Sequence, residues 1–228
     1  MKVNSQAGAV AAFVSAAGSL WILIVLLALL PRLGASLPEL GDVAKASKAE
    51  SQPLFWVSTA AVGLIAGVTI VVIALALFGH LRGGMVVRIA TVVAILAAVA
   101  WVVGALLSIT DGSHLASLYS SDPALAAAAY TSTTAPEAAA VAVARGLTAI
   151  WLALTFGSAL SRHALPSPLS YLAIVLALVG LASLVIAPAR LLWVVLSVVW
   201  AVWLGLTLLR TAPSAAHGGP LEKAVNQT

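Results

Sequence analysis

Cysteine is absent from this 228-residue chain, so it holds no disulfide framework, no thiolate metal site and no redox thiol. Charge is nearly as scarce. Eleven basic and seven acidic residues make up 8% of the sequence, against roughly 25% in an ordinary soluble domain. So few charges cannot cover the surface of a soluble fold of this length, which excludes a cytosolic enzyme. A disordered chain is excluded as well, because disorder needs low hydrophobicity and high net charge.

What fills the chain instead is apolar: 62% hydrophobic residues and a mean hydropathy of +1.13. That composition reads as an all-α polytopic membrane protein. The net charge of +4 and pI near 9.9 would point to nucleic acid in a soluble protein. Here the basic residues flank apolar runs, where they set topology and meet lipid headgroups. The expected partner is therefore the lipid bilayer, with no nucleic acid. Arginine outnumbers lysine seven to four, and alanine and valine abound. This fits a GC-rich bacterial genome and a cell inner-membrane location.

A hydrocarbon core of about 30 Å needs about 20 apolar residues at 1.5 Å each. Six runs meet that requirement: 8–30, 54–78, 86–109, 137–160, 168–187 and 191–209. They predict one six-helix bundle over 1–211, followed by a mobile cytoplasmic tail over 212–228. The first run exceeds the 7–15 residues of a signal-peptide core and no small-x-small site follows it, so it reads as a retained helix. With the N-terminus inside, Lys2, Arg82, Arg88, Arg162, Arg210 and Lys223 face the cytoplasm. Arg32, Lys45, Lys48 and Arg190 then lie outside, and the bias places both termini in the cytoplasm.

Short surface helices are expected in the two long outer loops. Ser36-Leu37-Pro38-Glu39 has the spacing of a capping box, with Leu37, Leu40 and Ala44 on one side of the helix that follows. Asp122-Pro123 opens an alanine run to Tyr130, and Thr134-Ala135-Pro136-Glu137 repeats the box at the start of the fourth span. Ala187-Pro188-Ala189-Arg190 joins the last two spans in a tight hairpin. No internal repeat supports an inverted-repeat transporter.

Small residues at four-residue spacing mark helix contact faces in lipid. The candidates are Gly8, Ala12 and Ala16; Gly63 and Gly67; Ala100, Gly104 and Ser108; and Ala149, Ala153, Gly157 and Ser161. Packing within the bundle is the expected use, and a docking face for another subunit or a second copy is the sharper alternative.

Catalytic chemistry finds little to stand on. His80 and His163 share a level at the wet cytoplasmic helix ends, while His114 and His217 lie in a loop and the tail, so no buried haem pair forms. There is no His-Glu-x-x-His, no carboxylate within a span beyond its first turn, and no base beside a membrane serine. Gly83-Gly84 and Gly218-Gly219 read as turns. Neither metal nor cofactor is expected, and an enzyme is disfavoured.

Seven tryptophans are the second oddity. Trp56 and Trp193 suit the interfacial belt. Trp21, Trp101, Trp151, Trp200 and Trp203 lie deeper, where each indole N–H needs a partner. Trp193 and Trp200 share one face of the last helix with Ser197 between them. Bulky rings filling the bundle are weighed against an aromatic ligand cavity.

Arg145 stands inside the fourth span, about 12 Å below Glu137 at helical rise. Such a residue faces a bundle interior or wet cavity, or it snorkels to headgroups. Trp101 lies at similar depth on the neighbouring helix and could offer its ring face. Asp111, Asp122 and Glu137 are the nearest acidic candidates. Arg145, Trp101, Trp200 and Ser197 are thus the candidate ligand-binding residues.

The order of elements, with Arg162-His163-Ala164-Leu165-Pro166-Ser167-Pro168-Leu169 between the fourth and fifth spans, resembles an uncharacterised bacterial six-transmembrane-helix family, a domain of unknown function. That family has a Leu-Pro-x-x-Leu turn at this point. Here Ser170 stands where glycine is expected, and Pro168 is an addition. The resemblance spans most of 8–210 and implies a fold, not an activity. The sequence favours a non-enzymatic accessory subunit or a component that binds lipid or a small amphiphile. The alternative is a transport or substrate-capture protein with a pocket near Arg145, and last an intramembrane enzyme or haem protein.

Overall fold

The computed structural model describes residues 5–29, 31–33, 42–81 and 84–211. The Ser36–Glu39 capping box and the tail after 211 lie outside them. Seven α-helices make up the described chain: α1 (Ser5–Ile24), α2 (Val43–Glu50), α3 (Pro53–His80), α4 (Met85–Ser121), α5 (Pro123–Ser161), α6 (Ser167–Ala182) and α7 (Ala187–Thr211). A π-helical turn over Val25–Leu29 extends α1.

The protein is an all-α, multi-pass membrane bundle. Five helices (α1, α3, α4, α5 and α7) are long and apolar enough to cross a bilayer, while α6 is apolar but only 16 residues long. Large apolar side chains face outward all round the bundle: Val68 and Leu178 are each 63% exposed. A surface of that kind is satisfied by lipid and not by water.

Local chemistry explains several of the boundaries. Asp42 caps α2, its Oδ1 accepting from the backbone N–H of Ala44 at 3.0 Å. Pro53 occupies the first turn of α3, where its missing N–H costs nothing. At the other end of α3, Arg162 donates to the Leu81 carbonyl at 2.9 Å. Asp122 caps α5, accepting from Ala124 and Leu125 at 2.9 and 3.1 Å, with Pro123 next in line.

The second outer connection differs from expectation. No separate surface helix lies between the third and fourth spans. Instead α4 runs 37 residues and α5 runs 39, and they meet at Asp122. Thr134 does not cap a helix start, because its hydroxyl donates back to the Tyr130 carbonyl at 3.0 Å within a continuous helix that also contains Pro136. At 1.5 Å per residue α4 is about 55 Å long, well beyond a 30 Å hydrocarbon core. The polar stretch from Thr110 to Ser121 is therefore helix, not loop. The last hairpin also shifts: its turn lies at 183–186, and Pro188 belongs to the first turn of α7.

Packing closes the bundle on itself. Around the ring each helix touches the next in the order α1, α3, α4, α5, α6, α7, and α7 returns to α1. Close approaches follow the small-residue stripes. A Cβ on Gly67 would sit 2.9 Å from Val102 and 3.0 Å from the Ala98 carbonyl, and one on Gly63 would sit 3.0 Å from Ala105, so α3 lies tight against α4. Gly8 faces Ala76 and Leu208, and Gly104 faces Val141. The α5 stripe divides: Ala149 is buried, but Ala153 is exposed and Gly157 has nothing within 4 Å. The dense core, with Leu77, Phe156, Leu169, Leu204 and Leu208 fully buried, occupies the half of the ring nearest Ser5.

Candidate functional site

The other half of the ring is hollow. A cavity of about 900 Å³ lies between the six helices, its wall drawn from every member of the ring. That volume falls within the range of about 300–1,000 Å³ usual for small-molecule sites. Arg145, Trp101, Trp200 and Ser197 all line it. Trp151 and Glu137 also line it, as do Trp193 and Arg190, whose sequence positions pointed to the membrane interface and the outer flank.

Four indoles build the wall and floor. Trp101 on α4 stacks on Trp193 of α7, with ring centroids 6.3 Å apart and planes 10° from parallel. Trp101 Nε1 donates to the Thr148 hydroxyl of α5 at 3.2 Å. Trp200 meets Trp151 edge-on at 6.2 Å and Phe156 at 5.7 Å, which ties α7 to α5 beneath the cavity. Among the described residues the Trp193 and Trp200 indole N–H groups have no hydrogen-bond partner, and Trp193 Nε1 rests against Gly180. Trp193 is thus a cavity residue rather than an interfacial anchor. Trp56 likewise turns inward, onto Gly112, where any Cβ would collide with its ring. Ser197 donates to the Val194 carbonyl at 2.7 Å and reaches Ser19 of α1 at 3.2 Å.

Arg145 lines the cavity half-buried. Trp101 lines the same cavity, with one face of its ring stacked on Trp193. Glu137, one of the acidic candidates, does not pair with it: that carboxyl keeps company with Ser108, Glu50 and Asp111. Among the described residues no carboxylate lies within ion-pairing distance of Arg145, and its electrostatic neighbour is a second cation, Arg190. Arg190 enters from the start of α7, where its Nε donates to the Ser183 carbonyl at 3.3 Å and holds the hairpin turn.

An acidic cluster stands at the mouth. Glu50 of α2 accepts from the Tyr130 hydroxyl of α5 at 2.9 Å, with Asp111 and Glu137 nearby. Burial holds the Glu50 carboxyl above the ordinary carboxylate range; the Tyr130 bond partly offsets this, and the Asp111 charge adds to it. Among the described residues no group of His, Cys, Asp and Glu is arranged to hold a metal ion.

Along its axis the cavity therefore changes character: the Glu137 carboxyl at the mouth, two arginines below, and an indole floor. Such a space can hold a small molecule with unlike ends. Among the described residues that line it no nucleophile stands beside a base, and His80, at the far end of α3, lies 3.3 Å from the Ala164 carbonyl. The chain matches no family model, no curated protein and no solved structure.

Proposed function

We propose that this protein is a non-enzymatic membrane component that holds a lipid-like or other small amphiphile in the centre of its helical ring. The cavity of about 900 Å³ carries the reading, because a bundle that only needed stability would fill such a space with side chains. Its walls are mostly apolar, with a few polar groups spaced along it, which is the usual make-up of a small-molecule site.

The same reading takes α6 as a sixth crossing, with both termini on the cytoplasmic side of a bacterial inner membrane. Support comes from the place of α6 between α5 and α7 in the ring and from the excess of basic residues on the N-terminal side. A transport or substrate-capture role is the second reading. The cavity favours it by reaching Glu137, beside the acidic cluster under α2.

Purification in mild detergent, with protein and small-molecule mass spectrometry on one sample, tests the proposal. A co-purifying amphiphile at near-stoichiometric amount is the expected result. A stable partner chain with an empty cavity would make it an accessory subunit, and uptake by the reconstituted protein would make it a transporter.

A further inference from the structure

We infer that the cavity selects an oxyanion head: its occupant is a single-chain amphiphile whose carboxylate or phosphate sits between Arg145 and Arg190, its tail on the indole floor. The inference rests on the amphiphile-holding reading and specifies the chemistry of the occupant.

Two arginines share one apolar space, close enough for their charges to interact. Among the described residues neither has a carboxylate partner, and the Arg145 guanidinium makes no hydrogen bond. An unpaired guanidinium is costly in the apolar part of a membrane helix, and a like-charged neighbour adds to that cost. An oxyanion between the two removes both penalties, since a guanidinium fork fits two oxygens of a carboxylate or phosphate.

The axis fixes which way the ligand points. Toward the mouth, Glu137 is eight residues from Arg145 on the same helix, about 12 Å away, with Glu50 and Asp111 beside it. That end lines the cavity with a carboxyl and no cation, so it gives an anion nothing to pair with. Away from the mouth, Trp151 is six residues from Arg145 and Trp200 ten from Arg190, a depth of about 9–15 Å. No charged residue lines that stretch, so it receives the alkyl tail. The volume accommodates one alkyl chain below the head.

Quenching of tryptophan fluorescence tests this on the full chain in phosphatidylcholine nanodiscs. The probes are 11-bromoundecanoate, 11-bromoundecyl phosphate and the neutral 11-bromoundecanol, whose bromine quenches the floor indoles. Both anions should bind about tenfold or more tighter than the alcohol, and the stronger of the two identifies the headgroup. Arg145→Gln should shrink the ratio of anion to alcohol affinity severalfold, Arg190 keeping the remainder, and Arg145→Lys should restore it in part. Equal binding of anions and alcohol would overturn the headgroup inference and leave the amphiphile reading intact. If none of the three quenches saturably, both fall. Should Arg145→Gln fail to fold, the comparison of the three probes on the unaltered protein still decides.

Discussion

At the residue scale, the glycines of this protein differ in what surrounds them, and that sorts the consequences of changing them. Gly67 sits against Val102 and the Ala98 carbonyl of α4. Gly67→Leu forces those helices apart and should cost about 1–3 kcal/mol, measured as a lower unfolding midpoint in detergent. Gly157 has open space around it, so Gly157→Ala should hold stability or raise it by up to about 1 kcal/mol through helix propensity. Equal effects at the two sites would show that α3 and α4 do not meet as described. Glu50 offers a second residue-scale outcome. Its folded pKa is raised, so the folded protein binds its proton more tightly than the unfolded chain does. The docking of α2 onto α5 should therefore be firmest in mild acid. It should weaken as pH rises from the ordinary carboxylate value through the raised one. Glu50→Gln should flatten that dependence in a pH series of thermal midpoints.

Two of the residues that line the cavity show what a sequence reveals and what it hides. Arg145 is visible because it is the one charge inside a long apolar run. Arg190 is not, because it stands beside a proline at a turn, where a basic residue reads as a headgroup contact. Only the return of α7 to the ring brings it to the level of Arg145. Trp193 misleads for the same reason: its place near a helix start suits a membrane interface, whereas its ring is committed to Trp101.

At the element scale, helix starts were legible where a cap is isolated and illegible where tertiary pairing overrides it. The second span was expected over 54–78 and runs Pro53–His80. Asp122-Pro123 marks a true start. Thr134-Ala135-Pro136-Glu137 carries the same kind of signal and marks nothing, because α4 lies alongside and keeps α5 helical through it. Pro136 leaves the Ser132 carbonyl without its usual helical donor and so weakens α5 locally. Pro136→Ala should slow amide exchange over 131–138 and raise stability by up to about 3 kcal/mol. Unchanged exchange there would mean that neighbouring groups already satisfy the carbonyl.

At the scale of the whole molecule, the absence of cysteine makes orientation directly measurable. Ser120, at the tip of α4, and Ser161, at the far end of α5, are both exposed. With the termini in the cytoplasm, Ser120→Cys should react with an impermeant maleimide on intact cells. Ser161→Cys should react only after permeabilisation. The reverse pattern would invert the topology.

The contact between α1 and α7 bears on how the chain is made. A ribosome releases α1 first and α7 last, so the wall that closes the cavity joins the oldest helix to the youngest. Until α7 emerges, Phe13 of α1, which abuts Gly205 in the finished ring, lacks that neighbour, and α1 has only its packing against α3. During that interval the hollow is an open trough. Loading an occupant then requires no opening of the finished ring, so biosynthesis itself offers a moment of entry.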